Sequence, residues 1–214
     1  VSDEARQAGV RVGLPMAQAH LVCPEAAFRR GDLDAYGRHS EEVTAVLLAA
    51  SRRVERPSAD EAFVDLTVEG AGDAPPVRAA ETIRDELQRR LGLDASLGLA
   101  SSRLAARIAS AWAKPRGLLV VLPGYEHSFL AGKPVSALGA PPHVLSALAK
   151  AGLTTVGHVA ECDEAALAAA VGTAAARHLR AAARGEQEPP VALAAPPAFL
   201  QEEATIRDRH GDRR

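Results

Sequence analysis

Two hydrophobic periods alternate along this chain and divide it into helical and extended stretches. Residues 34–50 and 77–91 carry apolar side chains at about every third or fourth position, which predicts amphipathic helices. Near residue 58 this period ends, and the segment "EAFVDLTV" combines apolar with β-favouring residues. We therefore expect the first 57 residues to be mainly helical and a strand to follow them.

Strand and helix patterns then alternate over the middle of the chain. After the helix at 77–91, "ASLGLAS" predicts a strand, residues 102–113 a helix, and "GLLVVL" another strand. This order is typical of an α/β unit. Beyond it the pattern changes to short Ala-rich helices around 141–151, 163–170 and 173–184, and a proline-rich linker follows them. We expect a small all-helical module in that part of the chain.

Composition is that of an ordinary globular protein. Of the 214 residues, 47% are hydrophobic and 24% are charged. The sequence has no apolar run near the roughly 18 residues of a membrane-spanning helix. Cys23 and Cys162 lack the spacing of a zinc site or a disulfide framework. We expect a cytoplasmic monomer that does not bind membranes.

Charge is distributed unevenly, although the formal net charge is only −2. Residues 58–100 hold 4 Lys or Arg against 9 acidic residues, whereas residues 101–158 hold 6 against 1. This arrangement suits a site where metal-binding acids lie beside a surface for phosphates. A random mixture of surface charges would give the same counts, so both interpretations stay open.

Three acids, Asp60, Glu61 and Asp65, interrupt the predicted strand after residue 58. Neighbouring side chains of a strand point to opposite faces unless a turn or bulge brings them together. Held together, Asp60 and Glu61 would offer the hard oxygen ligands that Mg²⁺ prefers. As a dipeptide considered by itself, the pair more often marks an exposed acidic turn.

A basic cluster follows in "GLASSRLAARIASAWAKPRGLLVV", residues 98–121. Arg103 and Arg107 lie one helical turn apart, and Lys114 precedes Pro115 at the predicted helix end. A cation there could grip a triphosphate and offset charge as the leaving group departs. Such a lysine is otherwise a solvated charge at a helix end. Trp112, on the same helix, is expected in the core.

Several motifs in one order resemble the Y-family (translesion) DNA polymerases. The segment "SADEAFVDLT" resembles the SxDExxxD palm motif, and the basic cluster resembles the segment that follows it there. The segment "DEARQAGVRVGLP" is similar to the family's fingers, and "AGLTTVGHVA" and "AARGEQEPPV" to parts of its thumb. The similarity extends over nearly all of residues 2–200.

This resemblance implies an α+β fold, a partial polymerase right hand. It places helical fingers and the helices after them at 1–57, an α/β palm lacking its first strand at 58–133, and a small helical thumb at 134–188. Residues 189–214 would be a linker and the start of a missing little-finger domain.

The implied activity is error-prone, template-directed DNA synthesis in translesion synthesis and DNA repair. Primer–template DNA and deoxynucleoside triphosphates would be its partners, and two Mg²⁺ ions its cofactors. Asp60 and Glu61 would be the catalytic metal ligands, while Arg6 and Lys114 would bind the nucleotide. A sliding clamp would bind beyond Arg214.

DNA contacts are implied for Arg103, Arg107 and Gly139. Around Gly139 the sequence resembles a helix-hairpin-helix, which offers backbone N–H groups to a phosphate. The usual Gly-x-Gly turn is here Gly139-Ala140-Pro141, and Pro141 has no N–H to donate. A helical hairpin that only packs is an equally good interpretation.

Two departures from the family bear on activity. The family's first catalytic aspartate lies on an opening strand upstream of the residues present here, and Asp3 stands where a tyrosine usually touches the triphosphate. We therefore expect a polymerase fragment that is inactive as this chain. The alternative is a non-catalytic Y-family-like DNA- or partner-binding protein in damage tolerance.

Overall fold

The structure, a computed structural model, describes residues 1–67, 75–186 and 190–192. It divides into two compact units, Val1–Gly37 and Arg38–Arg214. The boundary falls inside the helix Leu33–Ala50, and not at the predicted end of the fingers after residue 57. The predicted domain limits after 57 and 133 stay predictions, and the limit after 188, with most of the predicted linker at 189–214, lies outside the described residues.

The N-terminal unit is built from helices α1 (Asp3–Gln7) and α2 (Met16–Val22) and the start of α3 (Leu33–Ala50). Ser2 begins α1, because its side chain accepts a hydrogen bond from the backbone N–H of Ala5 at 3.3 Å. The buried residues of this unit are small, and they are Val10, Ala19 and Cys23.

The second unit begins with a hairpin of two short strands. Strand β1 (Val54–Glu55) pairs with β2 (Phe63–Val64) in antiparallel register, so that Val54 lies opposite Val64. The predicted strand was longer than β2. It ends early because the side chain of Asp65 accepts hydrogen bonds from the backbone N–H and hydroxyl of Thr67, which turns the chain.

Helix α4 (Pro76–Leu91) packs its apolar stripe on this hairpin and on α3. Ile83 and Leu87 form a buried cluster with Val46, Leu47 and Val54. Gly92, in a left-handed conformation with φ 65°, ends the helix. The amphipathic pattern at 77–91 therefore predicted this helix and its buried face.

The predicted α/β unit is present. Strand β3 (Leu97–Leu99) runs parallel to β4 (Leu118–Val120), and α5 (Arg103–Trp112) connects them. The approach of α5 to β3 is close at Gly98, where a Cβ atom would lie 1.9 Å from the carbonyl oxygen of Ala106. Only glycine allows this packing.

Short helices complete the second unit. They are α6 (Glu126–Ala131), a 3₁₀ turn (Val135–Leu138), α7 (Pro142–Lys150), α8 (Val156–Glu161), α9 (Glu164–Val171) and α10 (Thr173–Arg184). Their core also includes Leu104, Ala105 and Ile108 of α5, so one hydrophobic cluster runs across the predicted palm–thumb boundary. Among the described residues, no helix is both long and apolar enough to cross a bilayer.

Candidate active site

Asp60 and Glu61 lie in the turn that joins β1 to β2, residues 56–62. Both residues are exposed, and neither belongs to a strand. The hydroxyl of Ser58 donates a hydrogen bond to Oδ1 of Asp60 at 2.6 Å. The sequence motif therefore forms an acidic turn in which Ser58 orients the first carboxylate.

Hydrogen bonds to the carboxyl group of Asp60 lower its pKa. The largest cause is the hydrogen bond from Ser58, followed by the backbone N–H of Asp60 itself. Partial burial opposes this shift, and the positive charges of Lys114 and Arg56 add to it. Lys114, which is distant in sequence, is therefore close enough to Asp60 in the fold for its charge to act on that carboxylate.

Lys114 is exposed and lies just after the end of α5. The chain turns tightly there, because the backbone N–H of Gly117 donates to the carbonyl of Ala113 at 2.7 Å. The next cation, Arg116, is engaged elsewhere, in an exposed ion pair with Asp94 at 2.8 Å. Of these two cations, Lys114 is the one whose charge contributes to the lowered pKa of Asp60.

Arg56 is a residue of this site that the sequence did not single out. Its guanidinium donates hydrogen bonds to the backbone carbonyls of Ser58, Ala59 and Glu61 in the acidic turn. The same guanidinium also donates hydrogen bonds from Nη1 and Nη2 to Ser40 and from Nη1 to Thr44 of α3. The only signal in the sequence was a cation four residues before Asp60.

Arg103, one of the predicted DNA-binding residues, has partners inside the protein. Both of its terminal nitrogens bind the carboxylate of Glu55, and its guanidinium lies 4.4 Å from the ring centroid of Phe63. This pairing ties α5 to the β1–β2 hairpin. A contact between Arg103 and DNA stays a prediction.

Arg107 and Gly139, the other two predicted DNA-binding residues, lie against each other. Nη2 of Arg107 donates to the carbonyl of Ala137 at 2.6 Å, and a Cβ at Gly139 would lie 3.4 Å from Nη1. Gly139 has φ 70° and ends the 3₁₀ turn. Helix α7 begins directly after Pro141, so its first turn has few N–H donors. The DNA contacts of Arg107 and Gly139 stay predictions.

Arg6, the second predicted nucleotide ligand, lies in the last turn of α1 in the N-terminal unit. Arg6 is exposed, and its backbone carbonyl accepts a hydrogen bond from the backbone N–H of Gly9 at 3.0 Å. The role of Arg6 stays a prediction.

The expectation that Trp112 belongs to the core is wrong. This residue is 65% exposed, and Nζ of Lys133 lies 3.2 Å from its ring centroid. Leu104 and Ile108, two turns and one turn before it on α5, are buried. Trp112 is the last residue of α5, and burial along this stripe of the helix ends one turn before it.

The donors of the acidic turn are chemically suited to a divalent cation. Mg²⁺ takes oxygen ligands, and proteins commonly supply one or two carboxylates while water and substrate phosphates complete the shell. Asp60 and Glu61 provide two such groups on an exposed turn. Among the described residues, no group of three or more His, Cys, Asp or Glu side chains is arranged to hold a metal.

Comparison with known proteins gives consistent matches. The model of the impB/mucB/samB family matches residues 1–111, more than half of the 214 residues. DNA polymerase IV of Streptomyces coelicolor is 42% identical over 193 residues, which cover 89% of this chain and 40% of the relative. DNA polymerase IV 2 of Mesorhizobium japonicum is 40% identical over 183 residues, covering 85% and 44%. The chain thus spans less than half of these curated relatives.

Solved structures agree with the predicted α+β right-hand fold. The insertion ternary complex of Dbh DNA polymerase superposes with a TM-score of 0.79 at 25% identity, covering 89% of this chain and 56% of the other. A Y-family DNA polymerase chimera of Dbh and Dpo4 gives a TM-score of 0.80, also at 25% identity, and covers 90% and 57%. The similarity inferred from the palm motif is confirmed, and the chain belongs to the impB/mucB/samB family of Y-family DNA polymerases.

Proposed function

We propose that this chain forms part of an error-prone, template-directed DNA polymerase that acts in translesion synthesis and DNA repair. Primer–template DNA and deoxynucleoside triphosphates are its proposed partners. The observation that carries the proposal is the match of the impB/mucB/samB family model to residues 1–111, which include Asp60 and Glu61. The charge of Lys114, which helps to lower the pKa of Asp60, agrees with it. Relatives named DNA polymerase IV support it.

Each site residue has a role that follows from its chemistry. The carboxylates of Asp60 and Glu61 would hold Mg²⁺, and two such ions would stabilise the attacking and leaving oxygens. The ammonium of Lys114 would bind the triphosphate and offset charge on its departing part. The lowered pKa of Asp60 keeps that carboxylate ionised, and so able to bind a cation, at more acidic pH than usual.

The experiment that tests this function uses a chimera. The region of the Streptomyces coelicolor relative that matches over 193 residues is replaced by this chain, and the rest of the relative is kept. Extension of a primer across an undamaged template and across an abasic site is measured with Mg²⁺. We expect synthesis on both templates, and none from the 214-residue chain by itself.

Substitutions in the chimera separate the roles. Asp60→Asn and Glu61→Gln should each lower the extension rate by about 100-fold or more, since they remove charge that acts on the transition state. Lys114→Ala should also raise the KM for the nucleotide. Lys150→Ala, an exposed lysine at the end of α7, is the matched control and should change neither.

Two results would contradict the polymerase proposal. A chimera that folds and binds primer–template but does not extend it would favour the non-catalytic alternative, a DNA- or partner-binding protein in damage tolerance. Full activity of Asp60→Asn together with Glu61→Gln would show that the acidic turn is not the catalytic site.

A further inference from the structure

One guanidinium, that of Arg56, connects the acidic turn to helix α3. Nε donates to the carbonyl of Glu61 at 3.1 Å, and Nη2 donates to the carbonyls of Ala59 and Ser58. On the other side, Nη1 donates to Oγ1 of Thr44 at 2.7 Å and to the carbonyl of Ser40 at 3.1 Å. Nη2 also donates to the hydroxyl of Ser40 at 3.1 Å.

This arrangement uses the planar fork of arginine. Five N–H groups in fixed directions reach acceptors on two separate elements at once, which a lysine ammonium on a flexible stem does not reproduce. The acceptors in the turn are backbone carbonyls, so the contacts fix the path of the chain through residues 58–61. Residues 57–62 of the turn are all exposed, so packing against the core contributes little to its order.

The charge of Arg56 also suits its place. It lies close enough to Asp60 to act on that carboxylate electrostatically. A turn carrying two adjacent acids is opposed by their mutual repulsion, and a nearby cation offsets this. Arg56 donates these hydrogen bonds to carbonyl and hydroxyl oxygens, and the side chains of Asp60 and Glu61 stay exposed to a ligand.

We propose that Arg56 is a positioning residue, which holds the acidic turn against α3 so that Asp60 and Glu61 are presented as cation ligands. This inference rests on the proposed function for the metal part only. The other part, that the hydrogen bonds of Arg56 keep residues 58–61 ordered, is tested without any metal.

The first measurement is backbone ¹⁵N relaxation on the 214-residue chain. In the wild-type protein, residues 58–61 should have order parameters of about 0.85, the range of rigid backbone, and Arg56→Gln should lower them to about 0.6 or below. Arg56→Lys should restore the charge without restoring the order. The matched control Arg52→Gln, at an exposed arginine before β1, should leave the turn rigid.

The second measurement is Mn²⁺ titration followed by paramagnetic broadening of the Asp60 and Glu61 resonances. Loss of a group that orients a ligand typically weakens metal binding by about 10- to 100-fold, so Arg56→Gln should require at least about tenfold more Mn²⁺. Arg52→Gln should need the same amount of Mn²⁺ as the wild type. The double variant Ser40→Ala with Thr44→Ala, which removes the two hydroxyl acceptors on α3, should need an amount between those of the wild type and Arg56→Gln.

The outcomes distinguish the two proposals. Unchanged order parameters in Arg56→Gln would contradict the positioning role of Arg56, whether or not Mn²⁺ binds. Suppose that the turn is rigid in the wild type and loses order in Arg56→Gln, but shows no broadening with Mn²⁺. This result would contradict the proposed metal site and still support the positioning role of Arg56. If Arg56→Gln unfolds the chain, the Ser40→Ala and Thr44→Ala variant provides the test, because both residues lie on α3 away from the turn itself.

Discussion

At the scale of single residues, Glu126 is an acid held inside the protein by backbone donors. It is 8% exposed, and its carboxylate accepts hydrogen bonds from the N–H of Gly124 at 2.8 Å and of Ser101 at 3.3 Å. Burial raises the pKa of Glu126, but hydrogen bonds from its own N–H, from Ser101 and from Gly124 outweigh this, and the net pKa is lowered. Glu126 thereby joins the β3–α5 turn to the start of α6.

Glu126→Gln should lower the free energy of unfolding by about 1–3 kcal/mol at neutral pH, because a buried backbone donor loses its partner. The pKa of Glu126 is lowered in the folded state, so its stabilisation is complete above the unfolded pKa and is lost as the pH falls through the folded one. The difference in the free energy of unfolding between the wild type and Glu126→Gln should therefore become smaller as the pH is lowered.

Urea unfolding across a pH series measures this difference. Glu161→Gln, at an exposed glutamate that ends α8, is the control and should stay within about 0.5 kcal/mol of wild type. A gap between wild type and Glu126→Gln that widened on acidification would contradict the assignment.

At the scale of elements, two contacts hold α5 in place. Its packing on β3 depends on Gly98, and its first residue, Arg103, is paired with Glu55 of β1. The side chains of this ion pair are 22% and 31% exposed. The helix that leads to Lys114 is thus fixed from two directions, which determines where that lysine lies relative to the acidic turn.

Gly98→Ala should be strongly destabilising, because its Cβ would overlap the backbone of α5 at 1.9 Å from a carbonyl oxygen. Overpacking of this kind costs about 1–3 kcal/mol or more. Gly132→Ala is the matched control, since a Cβ there meets nothing within 4 Å. Thermal unfolding followed by circular dichroism checks both variants. Equal melting temperatures for the two would show that α5 does not pack on β3 as described.

A double-mutant cycle tests the ion pair. Glu55→Gln and Arg103→Met should each destabilise the protein, and their coupling energy should be about 0.5–3 kcal/mol, because partly buried partners in contact are not additive. Chemical denaturation of the two single variants and the double variant measures it. Additive effects would mean that the pair does not join α5 to the hairpin.

At the scale of the second unit, one hydrophobic cluster extends from α5 to α10. It includes Leu104 and Ile108 on the palm side of the predicted boundary and Leu148, Leu167 and Leu179 on the other. Because these residues share a core, the helical module and the helix that leads to Lys114 should not unfold independently.

Leu148→Ala should therefore weaken both parts. This side chain is fully buried, and its truncation should cost about 2–5 kcal/mol. Hydrogen exchange should show reduced protection in α5 as well as in α10. Leu122→Ala, at a residue that is 60% exposed, is the control. Protection lost in α10 while α5 keeps its wild-type value would contradict a shared core.

Much of this arrangement was available from the sequence by itself. The helical period at 77–91 predicted α4, the alternation after it predicted the β3–α5–β4 unit, and the motif containing Asp60 and Glu61 indicated the family. These signals are local: a few neighbouring residues set the period of a helix or the composition of a turn.

Tertiary structure decided the rest, because it depends on packing between segments distant in sequence. Only the folded chain brings Lys114 within electrostatic reach of Asp60, pairs Arg103 with Glu55, and leaves Trp112 exposed. Arg56 is the clearest case. Its acceptors lie on α3 and in the acidic turn, and no local pattern indicates that one guanidinium will reach both.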